Sequence, residues 1–95
     1  MAGRIEGTVR SINESGNLVT DITADQLADV PRGEQVTIRC DEHETVGIFE
    51  IGHQQPPFTL IAVLGASGRL ELEVVTDSAK IMLGVSTGEK VEVRW

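Results

Sequence analysis

Between Leu60 and Gly84 the chain reads LIAVLGASGRLELEVVTDSAKIMLG, and this stretch constrains the fold more than any other. Leu70, Leu72 and Val74 alternate with Arg69, Glu71 and Glu73. A period of two places each set on its own face of a strand, here running from Arg69 to Val75. The apolar run Leu60–Leu64 predicts a buried strand before it, and Gly65-Ala66-Ser67-Gly68 predicts the tight turn between them. Thr76-Asp77-Ser78 offers a helix start, Ala79–Leu83 a short helix, and Gly84 a left-handed stop. The result is a hairpin feeding a helix, which by itself specifies no reaction.

The remaining segments repeat this style. Arg4–Ile12 predicts a first strand, with Gly7 as a bulge or a close backbone approach. Asn13 to Asn17 is a turn, because Gly16 and Asn17 tolerate positive φ. Leu18-Val19-Thr20 makes a brief second strand, and Thr23 with Gln26 has the spacing of a capping box for a helix ending near Val30, before Pro31. Further strands are expected at Gln35–Cys40, Glu44–Ile51 and Glu89–Trp95, with Gly52–Pro57 as a loop. About seven short strands and two stub helices predict a mainly β domain, an antiparallel barrel or sandwich.

The chain also echoes itself. Val19-Thr20-Asp21, a short helix and GEQVTIR from Gly33 are answered by Val75-Thr76-Asp77, a short helix and GEKVEVR from Gly88. A duplicated strand–helix–strand unit explains this, and so does convergence on common capping and turn residues.

Composition narrows the function classes. With 95 residues the chain is a single small domain, 1–95, and a formal charge of −7 without a basic cluster argues against nucleic acid and anionic membrane. No apolar run reaches spanning length, Met1-Ala2-Gly3-Arg4 has no signal-peptide core, and the single Cys40 precludes an internal disulfide. A cytoplasmic protein is expected.

The chemistry-bearing residues have plain structural readings. Cys40-Asp41-Glu42-His43 has a Cys-x-x-His spacing, but His53 alone remains to complete a zinc site, so a strand-end cysteine and a turn histidine are expected instead. Glu71 and Glu73 share a strand face and are read as its wet side. Nucleophile–base pairs, Walker loops and dinucleotide fingerprints are missing from the sequence.

One resemblance goes further. Ser67-Gly68-Arg69-Leu70-Glu71-Leu72, Asp77-Ser78-Ala79, Leu83-Gly84 and Gly88-Glu89-Lys90-Val91 resemble the closing segment of the S-adenosylmethionine hydroxide adenosyltransferases, the family that includes the chlorinases and fluorinases. The likeness extends over nearly the whole chain, but only over the smaller, C-terminal part of such an enzyme. It implies a small antiparallel β-barrel. It also implies nucleoside contacts at Asn17, Ser67, Ser78 and Ala79, with adenosine or S-adenosylmethionine as the ligand. The family usually has Asp-x-Phe-Gly-Asn-Leu where this chain has Asn13-Glu14-Ser15-Gly16-Asn17-Leu18, so the aromatic surface for the base is replaced by Ser15.

In the family the catalytic residues belong to a larger N-terminal domain. The active site forms between that domain and a neighbouring subunit's C-terminal domain, generally within a trimer. The resemblance therefore implies a domain that is non-catalytic by itself, partnered by further copies of itself or by a separately encoded N-terminal domain. An assembly domain with at most weak nucleoside binding is favoured by Ser15 and Asp77-Ser78. A nucleoside sensor, or half of a split enzyme, is favoured by Asn17, Ser67 and Ala79.

Overall fold

The computed structural model describes residues 3–50 and 52–95. Among them are eight strands and one helix: β1 (Arg4–Ile12), β2 (Leu18–Thr23), β3 (Thr37–Cys40), β4 (His43–Val46), β5 (Ile48–Glu50), β6 (Leu60–Leu64), β7 (Arg69–Val74), α1 (Ala79–Leu83) and β8 (Lys90–Arg94). They form a single sheet in the order β4-β3-β8-β1-β2-β7-β6-β5, antiparallel throughout except for the parallel β5–β6 pair. The sheet curls until its ends approach one another, and Thr45 Oγ1–H in β4 donates to the Leu60 carbonyl in β6 at 2.9 Å. The architecture is a small, nearly closed β-barrel.

The length of β1 explains how one sheet wraps a core. Its first half, Arg4 to Thr8, pairs with β8, and its second half, Val9 to Ile12, pairs with β2, with a register shift between Val9 and Ser11. A bulge at that point lets the strand bend from one side of the barrel to the other. Gly7 is a close approach, since a Cβ there would overlap the side chains of Asp21 and Ile22. The barrel interior is aliphatic, built on Val9, Leu18, Ile38, Leu70, Leu72 and Val93. Where β2 loses register with β7, the Thr20 hydroxyl donates to the Leu70 carbonyl at 2.6 Å and replaces the missing ladder bond.

Two sequence expectations need correction. The strand expected at Glu44–Ile51 is two strands, because Gly47 sits at φ 88 and its N–H turns to the Val36 carbonyl. Its expected last residue, Ile51, lies outside the described residues. The helix expected from Thr23 to Val30 is a run of turns. The capping box itself forms: Gln26 Oε1 accepts from Thr23 N–H at 2.8 Å, and Thr23 Oγ1 accepts from Gln26 N–H at 3.3 Å. Beyond it the bonds run back three residues, Leu27 to Ala24, Ala28 to Asp25 and Val30 to Leu27. The apolar residues Ala24, Leu27 and Val30 are three apart, and burying Leu27 and Val30 together suits the tighter winding. Pro31 then leaves no room for a second turn. The second expected helix does form as α1, with the Ser78 hydroxyl accepting from Ile81 N–H and Gly84 closing it at φ 67.

The two halves of the internal echo are placed differently: its second halves fall in β3 and β8, which pair antiparallel, whereas its first halves fall in β2 and, for Val75-Thr76-Asp77, in the turn just beyond β7. β4 and β5 fill the gap between β3 and β6.

Candidate functional site

The outer face of β7 carries the site. Glu71 points away from the core, yet it is only 5% exposed. The wet-face reading of this residue is therefore overturned. Two loops close over it: residues 13–17 after β1, and residues 65–68 between β6 and β7. Gly65 makes the second approach feasible, since a Cβ at that position would overlap the Glu71 carboxylate.

Three neutral donors hold that carboxylate. Asn13 Nδ2 and Asn17 Nδ2 donate to Oε1 at 3.2 and 3.3 Å, and Ser67 Oγ–H donates to Oε2 at 2.9 Å. Asn13 is fixed from its other end, because its Oδ1 accepts the backbone N–H groups of Ser15 and Asn17, both at 3.0 Å. This is the local Asx geometry that asparagine favours in turns. The loop is thus shaped before any ligand arrives.

These groups border a cavity of about 400 Å³, together with His53 and Glu73. His53 Nε2 lies 3.4 Å from Glu73 Oε2, and its Nδ1 accepts the Gln55 N–H at 3.3 Å, which leaves the ring proton on Nε2. Val19 and Val63 supply an apolar floor. A second hollow of about 340 Å³ borders Asn17 and Glu73 and continues toward Ser15 and Asp77. A nucleoside-sized molecule fits the scale of such clefts.

The structure brings together Asn17 and Ser67, two of the four residues singled out in the sequence, although 50 positions separate them. Ser78 and Ala79 do not border that cavity, although Ser78 packs directly against Gly16 of the Asn17 loop. The Ser78 hydroxyl caps α1, and Ala79 is fully buried in the barrel. They meet the Asn17 loop through its far side, where Lys80 N–H donates to the Gly16 carbonyl at 3.0 Å. Glu71, Asn13 and Gly65 were missed as site residues. The run of small residues Gly65-Ala66-Ser67 was the available signal, because such a run lets a loop fold down on its own strand.

The Cys-x-x-His spacing is a hairpin. Cys40 pairs with His43 across the Asp41-Glu42 turn. Cys40 is buried, and His43 Nε2 lies 3.0 Å from the Leu83 carbonyl. Burial pushes the Cys40 thiol up to about 11, with the Glu89 and Asp41 carboxylates adding to the effect. Among the described residues no three His, Cys, Asp or Glu side chains converge as a metal site requires.

Comparison with known proteins agrees with this architecture. A crystal structure of an uncharacterized conserved protein from Thermotoga maritima matches with a TM-score of 0.74 and 23% identity, over 93% of this chain and 35% of that one. A conserved hypothetical protein from Thermus thermophilus matches with a TM-score of 0.71 and 26% identity, over 93% of this chain and 34% of that one. The chain thus spans about a third of the length of these solved structures. No curated protein sequence matches. The family profile for the SAM hydroxide adenosyltransferase C-terminal domain matches residues 7–92, nearly the whole chain, and the chain belongs to that family.

Proposed function

We propose that this domain supplies one wall of a binding site for adenosine or S-adenosylmethionine and performs no chemistry by itself. The observation that carries the reading is the convergence of Asn17 and Ser67 on the buried Glu71 at the mouth of the cavity. Both belong to the positions at which the family resemblance implies ligand contacts. In this reading Asn13 and Glu71 orient them, and Ser78 and Ala79 are positioning residues that brace the Asn17 loop from behind.

The non-catalytic half of the proposal is supported by the family match, which covers only the C-terminal domain, while the resemblance assigns the catalytic residues to a larger N-terminal domain. The opposite wall would come from a second domain, either on a neighbouring copy of this chain or on a separate polypeptide.

The test is a titration of the full chain with adenosine and with S-adenosylmethionine, followed by amide chemical shifts. Asn13, Asn17, Ser67 and Glu71 should move together, with a Kd on the order of 0.1–1 mM, because half a pocket leaves much of the ligand in water. In the same samples adenosine should not form from S-adenosylmethionine above the uncatalysed rate. Saturating ligand that leaves all four amides unmoved would remove the binding reading and leave assembly. Adenosine release abolished by a point substitution in this chain would remove the non-catalytic one.

A further inference from the structure

We propose that α1 is a strap that couples the open seam of the barrel to the Asn17 loop, so that the two loosen together. The device belongs to the fold and is independent of what the cavity binds.

Both ends of this short helix are tied to other elements. At its start, Lys80 N–H donates to the Gly16 carbonyl at 3.0 Å. Ser78, which caps the helix, packs so closely on Gly16 that a Cβ there would overlap its side chain. Gly16 belongs in turn to the loop that Asn13 shapes. Its N–H donates to the Asn13 carbonyl and Asn17 N–H to Asn13 Oδ1, both at 3.0 Å. At the other end, His43 Nε2 lies 3.0 Å from the Leu83 carbonyl. A carbonyl can only accept, so Nε2 carries the ring proton.

His43 stands at the seam. It is the first residue of β4, whose backbone ladder is made with β3. Residues two apart share a face of a strand, so His43 and Thr45 project from β4 on the same side. Thr45 holds β6 across the gap, and His43 holds α1. Five residues are too few for a helix to be stable alone. It rests on the core through Ala79 and Leu83, while Ile81 and Met82 are 77% and 52% exposed. Its position is therefore set by that small footing and by the ties at its two ends. When β4 moves outward, the pull on Leu83 is carried along α1 to the bond between Lys80 and Gly16.

Hydrogen exchange of the full chain, without ligand, tests the coupling. Amides of Gly16, Asn17 and Lys80 report the loop side, Gly84 and β4 the seam side, and β7 the barrel itself. His43→Leu removes the donor to Leu83, and should speed exchange at Gly16, Asn17 and Lys80 about tenfold relative to β7. His43→Gln keeps an N–H donor, and should stay within about threefold of wild type. Coupling is reciprocal, so Gly16→Ala, which pushes on Ser78, should speed Gly84 and β4 by a comparable factor. Acceleration in His43→Leu confined to Gly84 and β4 would overturn the proposal, since the two ends of α1 would then move separately. If His43→Leu speeds every amide alike, Gly16→Ala decides. Selective acceleration at Gly84 and β4 in that variant supports the strap, and uniform acceleration removes it.

Discussion

Cys40 shows how a single side chain ties this fold to pH. Its thiol is raised from 9.0 to about 11 in the folded barrel, first by burial and then by Glu89 and Asp41. The folded state therefore holds the proton over a range where the unfolded chain releases it. Stability from this residue is intact below about pH 9 and falls as pH rises toward about 11, by roughly 2–3 kcal/mol in total. Urea denaturation of the wild type and of Cys40→Ala at pH 7.5 and about pH 10.5 measures this. The wild type should lose more stability than the variant between the two, and equal losses would show that Cys40 plays no part. Glu71 teaches the complementary lesson. Alternation along β7 correctly assigned it to the face opposite Leu70 and Leu72. Alternation cannot say what covers that face, and here two loops exclude the water.

At the scale of elements, glycine decides where a strand ends and a new direction begins. Gly47 holds φ 88 between β4 and β5, and a Cβ there would come within 3.3 Å of the Arg32 carbonyl. Gly47→Ala should therefore cost about 1–3 kcal/mol, more than the usual effect of a Gly→Ala change in a loop. A midpoint of chemical denaturation equal to wild type would contradict it. The edges of β1, β6 and α1 were legible because periodicity and caps marked both of their ends. The break at Gly47 was not, since one glycine inside an apolar–polar pattern reads equally as a weak point in a continuous strand. The run after Thr23 failed for another reason. Its capping box formed as expected, but the three-residue spacing of Ala24, Leu27 and Val30 favoured turns over an α-helix.

For the molecule as a whole, alternation and turn residues foreshadowed a mainly β barrel, whereas the meeting of Asn17 and Ser67 at one cavity was legible only through the family resemblance. Asn17 and Ser67 meet because β2 pairs with β7, and that long-range register is invisible to local patterns. Among the described residues no helix is long and apolar enough to cross a membrane. The incomplete closure between β4 and β6, crossed by the Thr45 hydroxyl, has a consequence in time as well as in shape. The rest of the ring is backbone-paired, so local opening should start at this seam, and its amides should trade hydrogen for deuterium first. β4 and β5 should exchange at least about tenfold faster than β1 and β7, and uniform protection around the ring would contradict this. His53 N–H is anchored to the Glu50 carbonyl at the end of β5, so the same excursions should carry the imidazole toward and away from Glu73. Occupancy of the cavity would then be read at a distance, as slower exchange along a seam that no ligand touches.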